Sequence, residues 1–173
     1  VVFPGHPLAA SKEELQELAG YSPDIEKSRT EARRLLKEAG VSEGYKFRFH
    51  MQHADQPYKI VSLWLLTQWR NIGLEAEQWV APTYKDFYRT YHSRAFEVSV
   101  DFNCNAVVNP LLDVSKYISD DRAKENYANY KDRGPDKLFD EMNRTVDVTE
   151  QRQLMRQFEK RVLDEQAHML VTL

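Results

Sequence analysis

One cysteine, Cys104, and six glycines are all that this chain of 173 residues contains of either type. A lone cysteine excludes an internal disulfide and a cysteine-built metal cluster. With so few glycines there is no phosphate-cradling loop: neither GxGxxG nor a P-loop occurs, and GxSxG and HExxH are missing too. Charge of one sign is also lacking. Lys and Arg number 24 against 27 Asp and Glu, interspersed, so nothing draws the chain to nucleic acid or an anionic membrane. The longest apolar run, IVSLWLLTQW at 60–69, falls far short of a membrane span of about 20 residues. The opening VVFPGHPLAA has no signal-peptide pattern, which an excised fragment would equally lack.

What remains is patterned. Residues 1–23 hold three prolines and two glycines and read as an irregular lead-in, with a helical turn started by the capping box Ser11/Glu14. Residues 24–173 read as a single α/β lobe. Asp24 opens a helix over 25–39 whose stripe Ala32, Leu35, Leu36 and Ala39 is expected in the core, and Gly40 ends it. KFRFHM then alternates, predicting a strand over 46–51 with Phe47, Phe49 and Met51 inward and Lys46, Arg48 and His50 outward. Helix 57–72, strand 74–80, helix 83–94 capped by Thr83 and strand 96–102 follow. Strand, helix, strand, helix, strand predicts βαβ units and a mostly parallel sheet with flanking helices. After an irregular stretch rich in Asn, Asp and Tyr come two helices. One spans 136–146, with Leu138, Phe139 and Met142 inward. The other spans 149–165, with Leu154, Phe158, Val162 and Leu163 inward. The terminal HMLVTL looks like the start of a strand.

Catalytic constellations are sparse. His50 and His53 form HxxH, but on a strand and a loop rather than one helix face, so they read as an exposed strand histidine and a loop histidine. His168 beside Glu165 and Cys104 after the third strand are the other candidates for enzyme chemistry; neither has the neighbours a nucleophile needs. YKDFYRTYH aligns Tyr84, Phe87, Tyr88 and Tyr91 on one helix face, either packed on the sheet or forming a docking stripe. Ligands of open α/β sheets bind beyond the carboxyl ends of the strands. That makes DFNCNAVVNP, after the third strand, the best binding candidate: Asp101 at the strand end, Asn103, Asn105 and Asn109 as hydrogen-bonding groups, and Phe102 as an apolar contact.

The order of several stretches resembles one known family. GYSPDIEKSRTEARRLLKEAGVSEGYKFRF, LTQWRNIGLEAEQWV, NPLLDV and the ending ENYANYKDRGPDKLFDEMNRTVDVTEQRQLMRQFEKRVLDEQAHML are similar to successive segments of bacterial extracytoplasmic solute-binding proteins of the peptide/nickel-binding class, the receptors of ABC importers. The resemblance covers residues 18–173 and implies the C-terminal lobe of a two-lobed receptor. It further implies a peptide, opine or similar small polar ligand, the N-terminal lobe and ABC permease subunits as partners, and a periplasmic place, secreted or lipid-anchored. It implies no cofactor and no enzyme activity. Peptide receptors of the family often carry an Asp before the segment matched by NPLLDV, to pair with the ligand's amino group. Here Asn109 stands at that place, which weakens a cationic anchor. An adaptor domain and a small hydrolase are the competing readings.

Overall fold

The computed structural model describes residues 2–101 and 109–165, the last of these, Glu165, by its backbone alone. They fall into two compact units: residues 24–101, and residues 2–23 with 109–165. No described helix is long and apolar enough to cross a membrane.

The first unit is built on a parallel sheet. Strands β1 (Tyr45–Met51), β2 (Leu74–Val80) and β3 (Val98–Ser99) lie in the order β2-β1-β3. β1 runs beside β2 from Tyr45↔Leu74 to Met51↔Val80, and beside β3 at Phe49↔Val98 and His50↔Ser99. Helices α3 (Ile60–Arg70) and α4 (Tyr84–His92) are the crossovers, and Thr83 caps α4 through Asp86 N–H at 3.1 Å. The β3 ladder is shorter than the predicted 96–102. Arg48 N–H donates to the Glu97 carboxylate at 2.5 Å, so a side chain takes the amide that a longer strand would engage.

Each face of β1 meets a helix. On one face Trp69 of α3 packs edge-on against Phe47 and Phe49, at centroid distances of 5.2 and 4.9 Å. On the other, Phe87 of α4 stacks on His50 at 4.7 Å. His50 is therefore 1% exposed, not the outward strand histidine that simple alternation predicts. Lys46 and Arg48 are exposed as alternation predicts, but at the carboxyl end of β1 the crossover helix α4 covers the face that they share with His50.

Helix α2 (Ile25–Glu38) begins at Asp24, which accepts from Lys27 N–H at 3.0 Å, and turns at Gly40 in the left-handed region, φ +73°. Its stripe is the second correction. No residue of α2 is buried; Ala32 and Leu36 are half-covered and Leu35 is exposed. Polar contacts link the helix to the α3 region instead: Arg29 donates to Gln68 at 3.1 Å and Arg33 to the Asn71 carbonyl at 2.8 Å.

The second unit is helical: α1 (Lys12–Gln16), α5 (Pro110–Val114), α6 (Arg133–Arg144) and α7 (Val148–Lys160), the last continued by a π-helical turn over Arg161–Glu165. Val114, Met142, Met155, Phe158 and Val162 are fully buried, with Tyr117 and Ile118 beside them. α6 starts three residues before its predicted position, with Asp132 as cap and Gly134 and Pro135 inside the first turn, where a missing N–H costs nothing. The segment joining α5 to α6 is irregular in backbone but well bonded. Asn126, fully buried, donates to the Ile118 and Tyr130 carbonyls at 2.8 and 3.0 Å and accepts from Ala128 N–H at 3.1 Å. Asp136 accepts from Ser119 N–H at 2.8 Å and from Arg133 at 2.7 Å.

Candidate functional site

Three parallel strands bring their carboxyl ends to one edge of the sheet. Three chain segments leave there: Gln52–His53 after β1, Ala81 after β2 and Val100–Asp101 after β3. This is the edge at which open α/β sheets bind ligands, because the backbone turns away and leaves a crevice.

Asp101 is the predicted site residue that the structure describes most fully. Its Oδ1 accepts from Tyr58 at 3.2 Å and from Tyr88 at 3.4 Å. Tyr58 stands on the path from β1 into α3, and Tyr88 on α4, so three consecutive pieces of the βαβαβ chain meet at one carboxylate. Burial pushes both phenols up, and the Asp101 charge adds to it, with Tyr84 as a further cause for Tyr88. Both tyrosines therefore stay protonated donors near neutral pH. Tyr84 lies 4.5 Å from Tyr88, ring to ring, and is 60% exposed. The aromatic stripe of α4 is thus mostly a packing face: Phe87 is fully buried, Tyr88 and Tyr91 are half-buried, and only Tyr84 reaches out.

Asn109 serves as the N-cap of α5, accepting from Leu111 N–H at 3.0 Å. Phe102, Asn103, Asn105 and the enzyme candidates Cys104 and His168 lie outside the described residues. His50 and His53 do not act as a pair, since His50 is sealed between aromatic rings and His53 is exposed on the loop.

A cleft of about 240 Å³ opens at the same sheet edge. Met51, Gln52 and His53 line it from the end of β1, Gln78 and Val80 from β2, and Lys59 and Leu63 from the start of α3. Gln52 is 2% exposed, and its Nε2 is buried with no hydrogen-bond partner among the described residues. Tyr58, Tyr88 and Gln52 were not singled out as site residues by sequence reasoning. Tyr88 could be seen as part of the aromatic stripe, but its aim at Asp101 could not. Nothing in sequence marks Tyr58, 43 positions from its partner.

No protein-family model matches the sequence, and neither does the sequence of any curated protein. Solved structures do match in fold. The periplasmic murein tripeptide-binding protein MppA, in its unliganded open form, superposes with a TM-score of 0.77 at 16% identity, over 86% of this chain and 29% of that one. The substrate-binding domain of an oligopeptide ABC transporter from Bacillus anthracis gives 0.72 at 17%, over 93% and 32%. DppA from Helicobacter pylori, an ABC transporter-associated periplasmic binding protein in complex with the peptide STSA, gives 0.66 at 16%, over 86% and 28%. The chain spans about three-tenths of the length of each of these proteins. It has the α/β fold of a part of periplasmic-binding-protein-type receptors.

Proposed function

We propose that this chain is one lobe of an extracytoplasmic solute receptor of the peptide/nickel-binding class, which captures a peptide, opine or similar small polar ligand for an ABC importer. The carrying observation is the fold likeness over 86–93% of the chain to proteins described as peptide or substrate receptors of ABC transporters. In this reading the carboxyl edge of the sheet is one wall of the ligand cleft. Asp101, held by Tyr58 and Tyr88 through Oδ1, offers Oδ2 to a ligand donor. Phe102, Asn103, Asn105 and the Asn109 amide nitrogen are the further contacts. The N-terminal lobe of the same full-length protein closes over the ligand, and permease subunits receive it. The protein acts in the periplasm, secreted or lipid-anchored, and binds without turnover.

Calorimetry on the full-length protein and on residues 1–173 tests the reading. A lone wall leaves the ligand in water, where each hydrogen bond contributes only about 0.5–1.5 kcal/mol net. The isolated chain should bind at millimolar strength or weaker, and the full-length protein about a thousandfold tighter, roughly 4 kcal/mol. Asp101→Ala in the full-length protein should weaken binding at least tenfold. Turnover abolished by Cys104→Ala or His168→Ala would replace this reading with the hydrolase.

A further inference from the structure

The cleft at the ends of β1 and β2 has a chemical character of its own. Its floor holds a carboxamide, Gln52, buried to 2% exposure with an amide nitrogen that bonds to nothing among the described residues. An orphaned buried donor costs about 1–3 kcal/mol and persists where something outside the fold satisfies it. The walls are apolar: Met51 is buried, and Leu63 and Val80 stand half-open at 49% and 45% exposure. The one ammonium on the rim, Lys59, is held by Asp55 at 3.0 Å, so the pair adds no net charge. His53 and Gln78 complete the rim, both exposed.

These features discriminate among ligands. A free carboxylate would enter a site with an amide donor at its floor and no unpaired cation, and burying it there is costly. A purely aliphatic group would match the walls but leave Gln52 unsatisfied. A neutral carboxamide fits both parts: its carbonyl accepts from Gln52, its N–H₂ donates to the Gln52 oxygen, and a short methylene stem lies against Leu63 and Val80. The volume admits it as well, since 240 Å³, about eight waters at roughly 30 Å³ each, is more than a glutamine side chain needs.

We propose that this cleft is a side-chain subsite selective for a neutral carboxamide, such as a glutamine or asparagine of a bound peptide. The inference rests on the receptor reading above. The test uses the full-length protein and tetra-alanine peptides in which each position in turn carries Gln, Glu or Leu, with affinities from calorimetry. At one position the Gln peptide should bind at least about tenfold tighter than its Glu and Leu counterparts. Gln52→Leu should bring that ratio to about one while keeping or raising the melting temperature, because it removes an unsatisfied buried amide. Peptide binding with no Gln preference at any position overturns the subsite alone, as does a preference that survives Gln52→Leu. A melting temperature that falls by several degrees in Gln52→Leu overturns it too, by showing that the amide is bonded within the fold. Binding confined to non-peptide solutes also removes the subsite but keeps the receptor. Failure of every peptide, opine and small polar solute to bind overturns both.

Discussion

The two units of the chain spend their apolar residues differently. The helical unit closes on itself: Val114, Met142, Met155, Phe158 and Val162 are all fully buried, and the irregular segment between α5 and α6 is bonded through Asn126, Ser119 and Asp136. The sheet unit keeps its seams tight around Phe49, His50 and Phe87 but leaves its helices open. α2 buries nothing and α3 buries only Ser62, while Leu35, Ile60, Leu63 and Trp64 are each about half exposed. Buried polar atoms without a hydrogen bond among the described residues occur in both units, His50 Nε2, Gln52 Nε2 and Ser62 Oγ in the sheet unit and Arg156 Nε in the helical one. The contrast is one of packing: the helical unit holds the larger closed core, while the sheet unit leaves apolar helix faces uncovered.

Mutations can break that contrast. The largest effect belongs to Phe158→Ala, expected to cost about 3–5 kcal/mol in chemical denaturation, since a large, fully buried ring leaves a cavity. Next is Asp136→Ala, which strips partners from Ser119 N–H and Arg133 and should cost about 1–3 kcal/mol. A loss below half a kcal/mol at either site would show that the helical unit is not the tighter one.

In the sheet unit, pH is the sharper probe. Burial pushes the His50 imidazole below its ordinary value near 6.5. The unfolded chain thus takes up a proton before the folded one does. The neutral histidine is tolerated fully above about pH 6.5, and stability falls as pH drops from there toward the lower folded value. Melting temperatures measured between pH 8 and pH 5 should show this slope, and His50→Phe should flatten it; an unchanged slope would mean that His50 is not the titrating group. Leu36→Ala should cost about 1 kcal/mol, short of the roughly 2–5 expected of a fully buried leucine. Smallest of all, Trp64→Ser should change stability by no more than about 0.5 kcal/mol, and a larger loss would place a hidden core on α3.

Much of the architecture is legible in the residues. The alternation of KFRFHM, the glycine at 40 and the caps Asp24 and Thr83 each mark a boundary that the fold uses. Cover is harder to read. The stripe of α2 is periodic whether or not anything packs on it, so Leu35 looks like a core residue and is not. His50 alternates outward, yet α4 lies over it. At the candidate site, Asp101 was legible as a polar group near a strand end, although β3 stops at Ser99 rather than at 102. Tyr58, Tyr88 and Gln52 were not, since their roles arise from how crossovers fold back, which no local spacing encodes.

One distribution has a practical use. The tryptophans of this chain, Trp64, Trp69 and Trp79, all fall in the sheet unit, two on α3 and one on β2. Tyrosine and phenylalanine are the only aromatic residues of the helical unit. Fluorescence excited at the red edge of absorption, where only indole responds, therefore reports on the sheet unit alone. Trp79 is the most informative of the three, its ring lying 4.8 Å from His50, so protonation of the imidazole should dim its emission. Far-ultraviolet circular dichroism, to which the helices of both units contribute, supplies the whole-chain signal beside it, so an indole signal lost ahead of the ellipticity would mean that the sheet unit gives way first.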